Sequence, residues 1–506
     1  MLRLLCCLLP VLAVPAAAQQ ISGSISGNVL DPSGAPVAGA TVAAINTGTS
    51  FKLQTTTNEL GFFEFLSKVS GMYDIEVEAK GFKKLRQTGL TLSANQRLST
   101  GPLALELGNV TESVQITGRV DAVQTVSAER SANITRSQID RIQTMARDPL
   151  ELVLLLPGVL SPGGTTAAVQ LPQSFREFSV QGSRGNNKNF LVDGINALNT
   201  VTNQAASITP NIDSVEEVQV QLSNYQAEFG RSAGPAINYI TRSGTRDFHG
   251  SAYFYIRNEA LNATDFFDNK FSRPKPRYRY RTEGFTIGGP AYWPGKFNTD
   301  RNKLFFFYAY SEQPVFLPPP LHQLQMPTEL ERRGDFSQTV NQAGARINII
   351  DPTTAQPFAG NIVPTNRINA FGQQILNFFP VPNTTDSLRR FNFQKTGIQY
   401  RQPRTEHTLK MDYNPSTKYT FSGRYIQDSN DIITDYASNF SITNTRLYRP
   451  GKNLSMRAVQ IFSPHMTNEV LYGYNRLRNN TTPETAADVA KLQRDPNGVR
   501  IAQLNP

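Results

Sequence analysis

The sequence has little cysteine. Its two cysteines, Cys6 and Cys7, both lie within the first ten residues. The same segment has one early cation, Arg3, followed by an apolar run over residues 4–14 and a small-residue cleavage site at 16–18, which is the pattern of a secretory signal peptide. We therefore predict that residues 1–18 are a signal peptide and that the exported, mature chain has no cysteine. This excludes structural disulfides and thiol chemistry.

Long apolar runs and charge are also scarce. A helix that spans a bilayer needs about 18 consecutive apolar residues, and no segment of the chain reaches that length. Charged residues make up 18% of the sequence, below the usual quarter, whereas aromatic residues reach 10%. Low charge combined with many aromatic and turn-forming residues favours β structure. The length of 506 residues is enough for two to four domains of about 150 residues each.

Enzyme motifs are missing as well. Residues 23–27 imitate a nucleophile elbow, but Ile25 occupies the position that serine needs. Glu216 and Glu217 are adjacent, so a strand would point them to opposite faces and they cannot act as a catalytic pair. No pair of histidines has the spacing of a zinc protease; the four are His249, His322, His407 and His465. We predict no catalytic residue, no cofactor and no metal site.

The net charge of +10 raises the question of nucleic-acid binding. Residues 273–281 interleave arginine with tyrosine, as single-strand-binding grooves do. From Arg277 onward, however, the two residue types alternate with period 2, which places the arginines on one face of a strand and the tyrosines on the other. We therefore favour a two-faced strand and predict no nucleic-acid partner.

The glycine-rich stretch at residues 181–194, QGSRGNNKNFLVDG, invites comparison with phosphate-binding loops. It lacks the Gly-Lys-Ser/Thr ending of a P-loop and the spacing of a dinucleotide fingerprint. It lies between two short apolar runs, at 178–180 and 190–192, so we interpret it as part of a hairpin that turns at Asp193-Gly194.

Residues 19–107 alternate apolar and polar side chains around turns such as the one at 31–34, which predicts a small β-sandwich. This segment resembles the carboxypeptidase-regulatory-like module, a prealbumin-like or carbohydrate-binding-like β-sandwich. The residues that carry the resemblance are Gly27, Val29, Asp31, Pro36, Val37, Gly39, Ala40, Val42, Gly61, Phe63 and Phe65. The resemblance implies a folding module without peptidase chemistry.

A different pattern follows a linker at residues 108–118. The most convincing helical stretch extends from Ser137 to about Leu156, with Ser137 as its N-cap. Together with the hairpin and residues 212–241, this helix resembles the plug domain of TonB-dependent outer-membrane receptors, which we place at residues 119–246. The plug motifs occur in the expected order, and their marked residues are Pro157, Gly158, Gly182, Asp193, Gly194 and Gly230. The resemblance implies that the glycine-rich stretch belongs to a plug hairpin.

Residues 247–506 contain long strands with two distinct faces. Apolar and polar side chains alternate over about ten residues, as in membrane barrels, although a soluble sandwich also alternates. We predict that the apolar set faces lipid and the polar set faces the plug; examples are Phe254, Leu409 and Phe421 in the first set, and Arg257, Lys410 and Arg424 in the second. We assign the polar insertion 311–399 to extracellular loops, and 414–417 and 463–468 to short periplasmic turns.

This segment resembles the Oar-like subgroup of the same receptor family. Plugged barrels have about 22 strands, whereas about eight to twelve can be placed here, so we interpret the sequence as truncated. The resemblance therefore implies a mainly β protein of the Gram-negative outer membrane. It would consist of a β-sandwich, an α+β plug and the first part of a transmembrane β-barrel.

The same resemblance implies a function. The protein would be a receptor and transporter that contacts outer-membrane lipid, binds an unidentified extracellular ligand and takes energy from the periplasmic protein TonB. TonB pairs with an extended strand, the Ton box, for which the candidates are the linker residues Val114, Gln115, Ile116 and Thr117. The alternative is a non-transporting surface adhesin or protein-export partner that uses the same barrel scaffold.

Overall fold

The structure is a computed structural model. It describes residues 22–108, 113–117, 129–144, 147–160, 178–185, 187–199, 206–225, 230, 234–272, 274–275, 277–317, 321–376, 379–396, 400–435, 444–463 and 466–483. The predicted signal peptide and His465 lie outside these residues. Strands dominate the described part, which confirms the mainly β fold class.

The N-terminal segment folds into the predicted β-sandwich. Its strands are β1 (Gly23–Leu30), β2 (Thr41–Asn46), β3 (Lys52–Thr56), β4 (Phe62–Lys68), β5 (Gly71–Glu78), β6 (Lys84–Leu92) and β7 (Arg97–Ala104). One sheet has the order β4-β1-β7 and the other contains β3-β2-β5-β6. Inward-facing residues such as Ile25, Phe63 and Ile75 form the core between the sheets, because alternate side chains of each strand share one face.

The predicted linker contributes a strand to this sandwich. Residues Ser113–Thr117 form β8, which pairs in parallel with β6 and so becomes the edge strand of the second sheet. Val114 packs against the sandwich core, whereas Gln115 and Ile116 are exposed. The candidate Ton box is therefore extended, as predicted, but it is docked on the sandwich.

The next part is an α+β unit. Its strands are β9 (Arg130–Thr135), β10 (Val159–Leu160), β11 (Ser179–Val180), β12 (Asn189–Val192), β13 (Ile195–Asn196), β14 (Val215–Ser223) and β15 (Ala236–Thr241). Five of them form a sheet of order β13-β12-β15-β14-β9, and β10 pairs with β11. Apolar residues of this sheet, including Phe190, Val218 and Tyr239, build a second core.

The predicted helix from Ser137 to Leu156 is wrong as one continuous element. The structure has two short helices, Arg136–Arg141 and Leu150–Val153. Thr135, rather than Ser137, is the N-cap of the first, with a capping box to Gln138. Pro149 is the N-cap residue of the second helix, and proline accounts for a break directly before it, because it has no N–H to donate and disfavours helical backbone in the preceding residue. No described helix is long and apolar enough to cross a membrane.

The hairpin prediction is correct at its turn and wrong in its strand pairing. Asp193 and Gly194 connect β12 with β13, which are antiparallel partners. The run at 178–180, however, contributes β11, which pairs with β10 rather than with 190–192. A strand this short carries too little pattern to identify its partner, since alternation fixes the face of a strand and not its neighbour.

The largest sheet has eight strands. This region contains β16 (His249–Asn258), β17 (Arg279–Pro290), β18 (Leu304–Leu317), β19 (Leu321–Leu324), β20 (Phe393–Thr396), β21 (Tyr400–Ser416), β22 (Tyr419–Asp435), β23 (Asn444–Ser463), β24 (Met466–Leu477) and β25 (Asn480–Pro483). Except for the small β19-β20 pair, they form one antiparallel sheet, in which neighbours along β16-β17-β18-β21-β22-β23-β24 pair and β25 joins β23. Short helices lie between strands, at Phe266–Lys270, Glu329–Arg332 and Ala370–Leu376.

The two ends of this sheet differ. The long connection that contains β19 and β20 lies at one end, whereas the other end has the two-residue turn Thr417-Lys418 between β21 and β22 and the connection 291–303 between β17 and β18. The predicted insertion began too early, because residues 311–317 belong to β18. The predicted turn at 414–417 was also placed too early: Asn414 and Pro415 lie in β21, where the register shifts between Tyr413 and Ser416. A bulge of this kind tolerates proline.

The two faces of the large sheet follow the predicted alternation. Phe254, Leu409 and Phe421 are exposed on the outer face by 59%, 41% and 44%. Lys410 and Arg424 are buried on the inner face, where they contact the α+β unit. Arg257 lies over the ring of buried Tyr280 at 3.8 Å; its contact with the plug stays a prediction.

Candidate functional site

The Asp193-Gly194 turn is the centre of the contact between the α+β unit and the large sheet. Both residues have positive φ, 45° and 74°, as a two-residue turn between twisted strands requires. Asp193 is held in this conformation because its carboxylate accepts hydrogen bonds from the backbone N–H of Thr241 at 2.9 Å and from its hydroxyl at 2.6 Å. Asn238 accepts a bond from the Gly194 N–H at 3.1 Å. The turn therefore directs the buried Asp193 carboxylate from the end of β12 toward the large sheet.

Two cations of the large sheet face this carboxylate. The Nε atom of Arg424 lies 2.7 Å from Asp193 Oδ2, and the Nζ atom of Lys410 lies 3.8 Å from Oδ1. Arg424 also donates to the carbonyl of Val192 at 3.0 Å, and Lys410 donates to the carbonyl of Thr241 at 2.9 Å. Since all three charged side chains are buried, their mutual pairing is what offsets the cost of removing them from water.

A second charged cluster binds the backbone of the segment before β14. Arg404 forms a bidentate pair with Asp428, at 2.9 and 3.0 Å, and lies 3.3 Å from Glu406. Asp428 accepts a hydrogen bond from the N–H of Thr209 at 3.1 Å, Glu406 accepts one from the N–H of Asn211 at 2.9 Å, and Arg404 donates to the Thr209 carbonyl. The inner face of the sheet thus satisfies backbone groups that no secondary structure pairs.

A close approach of two backbones marks the third contact. A Cβ atom added to Gly451 would lie 1.6 Å from the carbonyl oxygen of Ser207, and one added to Gly473 would lie 2.5 Å from Ile195. Nearby, Asn475 accepts a hydrogen bond from the Ser207 hydroxyl. Glycine at these two positions lets the α+β unit lie directly against the sheet.

The β-sandwich contacts both other parts. The N–H of Ala94 donates to Glu217 at 3.3 Å, and the Gln219 amide donates to the Ala94 carbonyl at 2.9 Å. Glu217 is 5% exposed; burial raises its pKa to about 7, while the hydrogen bond from Ala94 works in the opposite direction. The Ser22 hydroxyl donates to Glu469 in β24 at 2.7 Å. These contacts place the sandwich at the short-turn end of the sheet.

The marked plug residues have separate positions. Asp193 and Gly194 form the site above. Pro157 and Gly158 form an exposed turn before β10, and the Gly158 carbonyl accepts a bond from Gln181 N–H at 2.8 Å. Gly182 follows β11 with φ 79°, and the carbonyl of Gly230 accepts a bond from Asn189 at 2.9 Å. Sequence reasoning missed Arg404, Glu406, Asp428 and the burial of Glu217. Their position on the polar side of an alternating strand was the available signal.

Metal ligands do not gather in this site. Within the described part of the chain, no group of three or more His, Cys, Asp and Glu side chains is placed to hold a metal ion. The charged residues instead pair with one another and with backbone groups, so the arrangement holds two parts of the chain together.

Two family models match parts of the chain. Residues 24–106 match the carboxypeptidase regulatory-like domain, and residues 240–503 match the outer membrane beta barrel domain. The chain is 27% identical over 288 residues to the TonB-dependent transporter Oar of Myxococcus xanthus. This match covers 54% of the chain and 24% of Oar, so the chain spans about a quarter of the relative's length.

Solved structures of outer-membrane proteins are similar over part of the chain. The transporter YddB of Escherichia coli is 10% identical, with a TM-score of 0.45, and the match covers 70% of this chain and 40% of YddB. The siderophore receptor PirA of Pseudomonas aeruginosa is 14% identical, with a TM-score of 0.38, covering 69% and 41%. The family match itself extends over more than half of the sequence. The chain belongs to the outer membrane β-barrel family and is a protein of the outer membrane.

Proposed function

We propose that the protein is an outer-membrane receptor that binds a ligand at the cell surface and imports it with energy from TonB. The observation that carries this proposal is the Asp193 contact, in which a plug-like unit is fixed to the inner face of the sheet by buried polar groups. An ion pair of this kind adds little net stability, because desolvation offsets the attraction. The plug can therefore leave the wall once water or a ligand replaces the polar partners.

The orientation follows from the two ends of the sheet. Outer-membrane barrels have short turns on the periplasmic side and long loops outside. The end with Thr417-Lys418 and the sandwich is then periplasmic, and the insertion that contains β19 and β20 is extracellular. A ligand would reach the plug from the side of this insertion.

Strand β8 is the proposed contact for TonB. It is the edge of its sheet, so its outer backbone groups are available for an added strand. Exposed Gln115 and Ile116 would contribute to recognition. Along the chain, β8 is followed by β9, which is itself the edge strand of the plug sheet and pairs with β14. Force applied to β8 would therefore act first on β9, which can leave the plug sheet by losing only its hydrogen bonds to β14.

Cysteine crosslinking in cells tests this proposal. Gln115→Cys in the full-length protein should form a disulfide with cysteines placed along TonB. Gln54→Cys is the matched control, since Gln54 is exposed on β3, the opposite edge of the same sheet. Equal crosslinking at both positions would contradict the assignment of β8. Surface binding without any TonB dependence would instead support the adhesin alternative.

A further inference from the structure

Three cations lie together on the outer face of the large sheet, near its extracellular end. Lys452 of β23 and Arg476 of β24 are register partners, and Arg478 follows two residues later. All three are exposed. Among the described residues, no carboxylate pairs with any of them. This cluster, which we call the outer cation cluster, consists of Lys452, Arg476 and Arg478.

Its charges are arranged unfavourably for the protein alone. Side chains of register partners on one face lie about 4.5–5.5 Å apart at Cβ, and like charges there destabilise a sheet. On the other side, Lys452 is the register partner of uncharged Gln427 in β22. Bringing an anion between the cations would turn this repulsion into attraction.

Three other outward cations at the same end have carboxylate partners. Arg446 donates to Asp431 at 2.8 Å, Arg281 lies 3.2 Å from Glu283, and Arg279 lies 3.6 Å from Glu259. Exposed Arg401 has no carboxylate partner among the described residues, but it stands alone, because its register partners Phe316 and Ile433 are uncharged. The outer cation cluster therefore differs from its surroundings because several cations adjoin one another on neighbouring strands without a carboxylate partner among the described residues.

The level of the cluster is set by its neighbours along the strands. Leu454 and Tyr474 are the next outward pair toward the periplasmic end, followed by Met456 and Tyr472. Tyr474, Met456 and Tyr472 are exposed by 44%, 53% and 58%. Since aromatic residues flank the apolar band of outer-membrane barrels at its boundary, the cations lie at the level of lipid headgroups.

We propose that the outer cation cluster binds the phosphate group of an anionic lipid in the outer leaflet. The planar guanidinium groups of the two arginines can each donate two hydrogen bonds to phosphate oxygens, and the lysine adds a point charge. Tyr474 and Leu454 would lie against the acyl chains of the same lipid. This site is on the outer surface, so it is independent of ligand import through the lumen and of TonB.

Lipid binding by the full-length protein in a neutral detergent tests the proposal, with native mass spectrometry as readout. The probes are lipid A, its dephosphorylated form and inorganic phosphate. Replacement of Lys452, Arg476 and Arg478 by glutamine should weaken lipid A binding by about tenfold or more. The control variant Arg279→Gln with Arg281→Gln removes two outward cations that already have carboxylate partners, and it should bind lipid A as the unaltered protein does.

Three results would overturn the inference: unchanged binding in the triple variant, equal loss in the control, or equal binding of dephosphorylated lipid A. Displacement of the lipid by inorganic phosphate at equal concentration would mark a free-anion site and would also overturn it. If the triple variant fails to assemble, the single variant Lys452→Gln, which keeps both arginines, should still bind lipid A measurably more weakly. Gln427→Ala is its control, because it removes no charge and should leave lipid A binding unchanged.

Discussion

The guanidinium group of Arg424 lies 2.7 Å from the carboxylate of Asp193, although the two residues belong to different parts of the fold. Arg424 is on the inner face of β22, and Asp193 occupies the turn between β12 and β13. Because both are buried, their pairing offsets part of the cost of removing each side chain from water. The pair joins the plug to the barrel wall.

Asp193→Asn should destabilise the seated plug by about 3–5 kcal/mol, the range found when one partner of a buried pair is removed. Arg424 and Lys410 would then lack their counter-charge. Hydrogen exchange of β12 and β15 in the assembled protein measures the effect. Asp140→Asn is the control, because Asp140 pairs with Arg136 on the surface and should change exchange much less. Equal exchange in both variants would show that Asp193 does not hold the plug.

Gly451→Ala should prevent the plug from seating. The new methyl carbon would lie 1.6 Å from the Ser207 carbonyl oxygen, which is backbone and cannot rotate away. The expected cost is about 1–3 kcal/mol or more. Gly423→Ala on the neighbouring strand is the control, since nothing lies within 4 Å of its added Cβ. Limited proteolysis of the plug distinguishes them, and equal resistance would refute the predicted clash.

Docking of the sandwich on the plug should weaken as pH rises from about 4.5 to about 7. The pKa of Glu217 is raised to about 7 by burial, so the docked state keeps a proton that the undocked state loses above its ordinary pKa. The contribution is therefore fully present below pH 4.5 and decreases until the docked carboxyl ionises near pH 7. A shift of this size corresponds to a change of about 3 kcal/mol at most.

Hydrogen exchange at Ala94, followed against pH, checks this dependence. Glu217→Gln should flatten the profile. Glu216→Gln should leave most of the pH dependence in place, because the side chain of Glu216 is 47% exposed. A profile that stays steep in Glu217→Gln would assign the pH dependence to another group.

Met456→Arg should impair membrane assembly, because it puts a cation on the lipid-facing surface, where the cost reaches about 2–4 kcal/mol at the bilayer midplane. Met456 is 53% exposed and lies between Leu454 and Ala458 on the outer face of β23. Gln460→Arg, on the same face but nearer the short-turn end, should cost much less. Heat-modifiable migration on gels compares their assembly. Similar tolerance of both changes would argue against a lipid-facing surface.

Alternation in the sequence predicted much of this arrangement. It placed Lys410 and Arg424 on the inner face and Leu409 and Phe421 on the outer face, because a strand has a period of two. It also located the Asp193-Gly194 turn, since few residues other than glycine, asparagine and aspartate accept positive φ.

The partners of these residues could not be predicted in the same way. Alternation fixes which face a side chain occupies but not the register that brings Arg424 to Asp193 or Asp428 to Thr209. The docking of β8 on β6 is a similar case, because a five-residue strand has many edges it could join. Pro149 was a sequence signal against one continuous helix through residues 148–149, but it does not account for the end of the first helix at Arg141.

The burial of the plug contacts has a consequence for ionic strength. Dissolved ions screen exposed pairs, such as Lys83 with Glu106 on the sandwich, within about 10 Å at 0.1 M salt, but they act weakly on pairs that water does not reach. Raising the salt concentration should thus loosen the surface of the sandwich while the plug stays attached to the wall. Salt alone should therefore not release the plug; release would need a competing hydrogen-bond partner or mechanical force.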